Sequence, residues 1–321
     1  MTNKQYHKIY SGFKAFTIHT VLLNQPMEFD LYIDNAGRLV KFLIAGSVLS
    51  EEKKERLVQN GVDHFYIFND DSSAFEHYLS DHLGKVLNDP NLNKLQKSHI
   101  IYSSAVLVMQ EMFEGDMSQT KLMQSREIMQ ETIRRILASE VTAASIIQIS
   151  SHDYRTYSHS VNVALYAIGI AHEYGMGERE LQDIATGAIL HDIGKCRVDQ
   201  CIINKPGKLT LEEFETMKDH PEHSYLLLLE NGETNGAVLE IVRNHHEKLD
   251  GSGYSRSLRE EEISLATQIV TVADIFDALS SDRAYKKAAS FFVALKTMKV
   301  QMRSQLNIEV IDSLIRMLGK V

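Results

Sequence analysis

Apolar stripes at helical spacing that run into histidine or aspartate most restrict what this chain can fold into. Leu181, Ile184, Ala185 and Ala188 recur at intervals of three and four, which places them on one face of a helix. His191 and Asp192 continue that face, and Gly194 follows as a stop signal. Val238, Ile241 and Val242 lead in the same way to His245, with His246 beside it. Ile263, Ala266 and Val270 lead to Asp274 and then Asp277, and His159 opens a stripe that continues through Val163, Tyr166 and Ile170. The intervals from 159 to 191, 191 to 220, 220 to 245 and 246 to 274 are 32, 29, 25 and 28 residues. One such group per helix or helix hairpin predicts a helical bundle that gathers imidazoles and carboxylates in its interior.

A single buried histidine is ordinarily a hydrogen-bonded core residue. A set is different, because an unpaired buried carboxylate costs several kcal/mol. Eight of the 14 histidines fall between 152 and 246. His159, His191, Asp192, His220, His245, His246 and Asp274 offer more donors than one tetrahedral ion takes. They suit two divalent metals a few Å apart, with Asp192 bridging. Nitrogen and carboxylate donors without thiolate suit iron or manganese, with zinc, nickel or magnesium as alternatives. Such a pair activates a water and binds phosphoryl oxygens. Lys195, Arg283 and Lys286, with Lys205 and Lys208 in a loop, are candidate phosphate cations. The alternative for each is a solvated surface charge.

The rest of the chain reads as α+β overall. Residues 1–140 form a smaller α/β regulatory or dimerisation domain with a helical linker, and 141–321 form an all-α bundle. Phe29 to Ile33 and Leu39 to Ile44 make a hairpin around Asp34-Asn35-Ala36-Gly37. Ser50 caps a helix ending near Gly61, His64 to Phe68 is a strand, and Ser72 or Ser73 starts a helix to about Leu87. Helices follow at about 97–113 and 118–138. The second carries Leu122, Ile128, Ile133 and Ile136, which suit a core or linker helix or a dimerisation helix.

A net charge of −9 argues against binding a nucleic-acid polymer. Cys196 and Cys201 allow no disulfide framework and read as inert packing thiols. The first residues lack a signal-peptide core, and no run is apolar enough to span a membrane. The expectation is a soluble cytoplasmic protein.

His191-Asp192-Ile193-Gly194-Lys195 resembles the signature of the HD hydrolase superfamily. Asn204-Lys205-Pro206-Gly207-Lys208-Leu209-Thr210, His220-Pro221 and His245-His246-Glu247 extend the likeness, as do Asp250-Gly251-Ser252-Gly253-Tyr254, residues 273–279 and Asp282-Arg283-Ala284-Tyr285-Lys286. Together they resemble the HD-GYP subfamily over about 150–320. The resemblance implies hydrolysis of cyclic di-GMP to pGpG and on to GMP on an extended HD bundle. Cyclic GMP-AMP is the alternative substrate, and a catalytically weak sensor the alternative function. It implies that the seven residues above are metal ligands and that Lys195 contacts the scissile phosphate. Arg283 and Lys286 would contact the nucleotide, and Asp277 would support a ligand or face substrate. The loop of Gly251, Gly253 and Tyr254 would meet diguanylate cyclase domains.

Three departures stand out. Ser255 replaces the proline of the GYP signature. Arg155 stands where some members carry a glutamate for a third metal, which implies two. Ser224 stands where glycine is usual, with His223 expected to be an exposed non-ligand. The N-terminal region resembles the α/β regions that precede some HD-GYP domains, without a receiver's acidic pocket.

Overall fold

The computed structural model describes residues 10–137 and 156–319, apart from 73, 76, 77, 79–82, 85–87, 89, 91, 115–117, 204, 206 and 283–286. Arg155, Arg283 and Lys286 therefore lie outside the described residues, as does much of the helix expected from 72 to 87. The chain divides into two compact units between Leu107 and Val108.

The first unit is built on four antiparallel strands, β1 (Phe13–Thr17), β2 (Leu31–Asn35), β3 (Arg38–Leu43) and β4 (His64–Phe68), in the order β1-β4-β2-β3. The hairpin, the strand at 64–68 and the helix α1 (Glu51–Gln59) are those read from the sequence, and Ser50 Oγ accepts from Lys53 N at the helix start. The hairpin turns where Ala36 and Gly37 both take positive φ, which matches the twist of the flanking strands. Strand β1 carried no alternating pattern and was not anticipated; it is fixed by pairing Phe13–Thr17 against His64–Phe68. Phe16, Phe29, Phe65 and Phe75 fill the core beneath the sheet.

Helix α2 (Lys94–Glu114) runs across the division, and the second unit continues with α3 (Gln119–Leu137). The sequence put the domain boundary near 140–150. Helix α3 packs on the later α5 (Glu178–Leu190). Leu122, Ile128 and Ile133 are buried there, which is the core reading of that stripe.

The bundle centres on α4 (Thr156–Glu173), in which every residue from Ser158 to Ala171 is buried. A helix buried on all sides must be surrounded. Around it pack α5, α10 (Leu265–Ser280) and α12 (Ile308–Leu318). The shorter α6 (Gln200–Ile203), α7 (Leu211–Met217), α8 (His220–Glu230) and α9 (Gly236–Asn244), with α11 (Phe291–Gln301), complete the unit. Leu181, Ile184, Ala185, Ala188, Val238, Ile241 and Val242 are buried as their spacing required. Ile263 instead precedes α10 and Ala266 is half-buried; Thr267, Ile269 and Val270 line that helix's inner face. Among the described residues no helix is long and apolar enough to cross a membrane.

Candidate metal centre

The seven candidate ligands converge in this helical unit. His159 lies in the first turn of α4, and His191 and Asp192 follow the last residue of α5. His220 opens α8, His245 and His246 follow α9, and Asp274 lies inside α10. Four of the seven thus sit just beyond helix C-termini rather than within helices. Asp192, His220, His245 and His246 form one group whose donor atoms lie within 4.8 Å of one another, and His159, His191 and Asp192 form a second. Asp192 is common to both. Asp274 Oδ1 is 3.1 Å from His159 Nε2, and its Oδ2 is 3.6 Å from His246 Nδ1.

The rings are aimed by their other nitrogen. Nδ1 of His191 donates to Ala188 O at 2.6 Å, that of His220 to Met217 O at 2.6 Å, and that of His245 to Val242 O at 2.9 Å. His159 Nδ1 donates to Asp277 Oδ2 at 2.7 Å. Each bond fixes the tautomer and turns a bare Nε2 inward, as a metal-ligating imidazole requires. The Nε2 atoms of His220 and His245 then face each other at 3.3 Å, and those of His246 and His220 at 3.2 Å. The bare lone pairs of His220 and His245 repel at this distance unless a cation lies between them. Nitrogens that share an ion at about 2.1 Å have such a separation. His191 Nε2 and Asp192 Oδ1 are buried without a hydrogen-bond partner, and orphaned buried polar atoms call for an explanation. The donor set fits a metal.

Electrostatics agree. Burial pushes the imidazoles of His220 and His245 down and that of His246 down to about 3, so they stay neutral as donors. Burial alone would raise the Asp192 carboxyl; the neighbouring His191 and Lys195 outweigh it and hold Asp192 well below the usual carboxylate range. Asp274 is likewise raised by burial, but its neighbours His159 and His246 outweigh that and leave it well below its usual range.

The remaining candidates divide. Lys195 Nζ donates to Asp192 Oδ2 at 2.5 Å, with 14% of its side chain exposed, so it stands at the rim of the cluster. Asp277 is 1% exposed, and its oxygens accept from His159, Asn162 and Ser281, so it stands behind a ligand. Lys205 is paired to Glu213 and Lys208 is exposed. His223 is half-buried rather than exposed, and its Nδ1 has no hydrogen-bond partner. Cys196 is half-buried but Cys201 is exposed rather than packed in the interior. Burial raises the first thiol and the Asp199 hydrogen bond the second, which keeps both protonated and inert.

Two supports carried no role in the sequence reading. Ser224 Oγ donates to His191 O and accepts from Gly194 N, tying α8 to the His191-Asp192 turn. That explains a serine where glycine is usual, and no periodicity signals it. Buried Glu247 accepts from Arg256 N and Leu258 N and so folds the following loop. Gly253 in that loop has no room for a side chain, since a Cβ would lie 2.5 Å from Glu247 Cα. Tyr254 thereby stacks on His246, with centroids 4.7 Å apart. The Gly251–Tyr254 loop is therefore part of the wall of the centre.

A helical bundle whose helix ends gather histidines and aspartates around buried lone pairs is a metal-binding domain. The chain belongs to the HD domain family, whose profile matches residues 143–310. It is 34% identical over 172 residues to "Cyclic di-GMP phosphodiesterase PA4108" of Pseudomonas aeruginosa, a match covering 54% of this chain and 42% of that one. It is 37% identical over 169 residues to "3'3'-cGAMP-specific phosphodiesterase 3" of Vibrio cholerae, covering 53% and 36%. The chain thus spans less than half the length of these curated relatives. Among solved structures, Bd1817, an HDG"Y"P protein from Bdellovibrio bacteriovorus, shares the fold with a TM-score of 0.72 at 19% identity, over 96% of this chain and 99% of that one.

Proposed function

We propose that this chain is a metal-dependent phosphodiesterase of the HD-GYP type that hydrolyses cyclic di-GMP to pGpG and then GMP. The observation that carries the reading is the pair of donor groups sharing Asp192, with the bare lone pairs of His220 and His245 facing one another. His159, His191, Asp192 and Asp274 would hold one divalent ion and Asp192, His220, His245 and His246 a second, iron or manganese in each. When bound, such ions supply Lewis acidity to the phosphoryl oxygens and acidify an attacking water.

The chain's own residues do the rest. The backbone carbonyls behind His191, His220 and His245, with Asp277 behind His159, hold the donors in place without rearrangement. Lys195 brings a positive charge to the rim, where a phosphodiester would lie, and offsets charge developing on it. Water adds across one P–O3′ bond and leaves a 5′-phosphate and a 3′-hydroxyl. Arg283 and Lys286 remain candidates for contacts to the nucleotide. The exposed residues Ser255, Arg256 and Ser257 are where a diguanylate cyclase domain would reach the loop. Such a substrate places the protein in the cytoplasm.

Relatives named for cyclic di-GMP and for 3'3'-cGAMP both match, so the assay takes both nucleotides. Protein loaded with iron(II) or manganese(II) is incubated with each and the products are separated. Faster conversion of cyclic di-GMP to pGpG and GMP is expected. No linear product from either nucleotide with any candidate metal overturns the reading; preference for cyclic GMP-AMP overturns its substrate.

A further inference from the structure

Helix α7 is anomalous. It buries none of its seven residues, although it carries Leu211 and Phe214, which are 85% and 42% exposed. Isolated exposed apolar residues need no explanation. These two lie three positions apart, on one face, and that face is attached to the metal centre. The helix leads directly into His220, whose Nδ1 donates to Met217 O at the junction. Phe214 meets Tyr254 edge-on, with centroids 6.3 Å apart and planes at 76°, and Tyr254 in turn stacks on His246. His246 keeps 23% of its side chain exposed, whereas the side chains of His159, His191, His220 and His245 are at most 1% exposed. The centre therefore opens past His246, and a row of rings, His246, Tyr254 and Phe214, leads outward from it. The Lys218 ammonium lies 5.1 Å from the Phe214 centroid.

Two nearly perpendicular rings form a corner in which a planar ligand can lie on one face with its edge against the other. Such a surface beside a phosphodiester site suits a purine, because every base has a π-face and stacking on an aromatic side chain holds it without hydrogen bonds. We propose that Phe214 is the stacking platform for one nucleobase of the substrate, with Tyr254 as the ring that holds it in position. This rests on the cyclic-dinucleotide reading above and deepens it. The solvent-facing Phe214 ring is explained by a ligand that covers it during turnover.

The chain has no tryptophan, so Phe214→Trp introduces a single tryptophan at the platform, excited selectively over tyrosine at the red edge of its absorption. Titrating the metal-loaded variant with cyclic di-GMP should quench that emission saturably. Phe214→Ala should raise KM about tenfold while kcat and metal content stay within twofold of the parent. Phe214→Leu, which keeps the apolar bulk without the π-face, should resemble the alanine variant. Unchanged KM in both, or emission from Phe214→Trp that does not respond to cyclic di-GMP, overturns the platform. A parent chain that hydrolyses no cyclic dinucleotide would sink the proposed activity instead; quenching then still decides the platform.

Discussion

Replacing Asp277 by asparagine separates a residue that aims a ligand from one that meets substrate. Its Oδ2 accepts from His159 Nδ1 at 2.7 Å, and its Oδ1 accepts from Asn162 Nδ2 at 3.0 Å and Ser281 Oγ at 3.2 Å. An aspartate serves both sides because both oxygens accept. An asparagine offers one acceptor and one donor. If its amide nitrogen faces His159, the imidazole must accept at Nδ1 and carry its proton on Nε2, where the metal would be. If the nitrogen faces Asn162, two donors oppose each other in a buried site. Loss of a partner behind a metal-bound imidazole costs on the order of 10- to 100-fold in affinity, or about 1.4–2.8 kcal/mol. Competition titration against a chelating indicator reads this directly, and Asp277→Asn should hold metal that much more weakly, with activity restored by excess metal. Parent-like metal affinity together with a raised KM for cyclic di-GMP would refute the reasoning and return Asp277 to a substrate-facing role.

Further consequences concern neighbouring residues. Asp192→Ala removes the group common to both donor sets and should abolish turnover and lower metal content on elemental analysis, whereas Lys195→Ala should keep the metals and slow the reaction at least tenfold, roughly the loss of one charged contact. Gly194→Ala would place a Cβ 2.2 Å from His220 O and 2.3 Å from Ser224 N, both backbone atoms. Overpacking against atoms that cannot rotate away should cost about 3 kcal/mol and lower Tm by roughly 6–12 °C in a calorimetric scan. For the metal-free protein, the pH dependence follows from His246, lowered to about 3 when folded against about 6.5 when unfolded. Between those values the unfolded chain binds the extra proton, so this stability is complete above about pH 6.5 and is lost as pH falls toward 3. Tm without metal should therefore fall on acidification over that window, and less steeply in His246→Gln; equal slopes would contradict it.

The sequence alone determined a good part of this protein. Period-3.6 stripes located the helices that enclose the centre, because a face that must be buried leaves its spacing in the chain. Ser50, Ala36-Gly37 and the aromatic run at 64–68 were legible for the same local reason. Strand β1 was not, since its partner is about 50 residues away. The stripes also implied that the histidines lie within helices, whereas His191, His245 and their neighbours follow the final turn. A helix end looks like a helix interior until the cap is seen.

Tertiary structure alone decided which atoms face one another. It put Asp277 behind His159, gave Ser224 its clamp on the His191-Asp192 turn, and pressed Tyr254 onto His246. None of these relations is periodic: they join residues between 8 and 118 positions apart, and such pairings are fixed only when helices pack. Sequence names the donors because burial constrains their neighbours along the chain. Their aim depends on groups that only folding brings behind them.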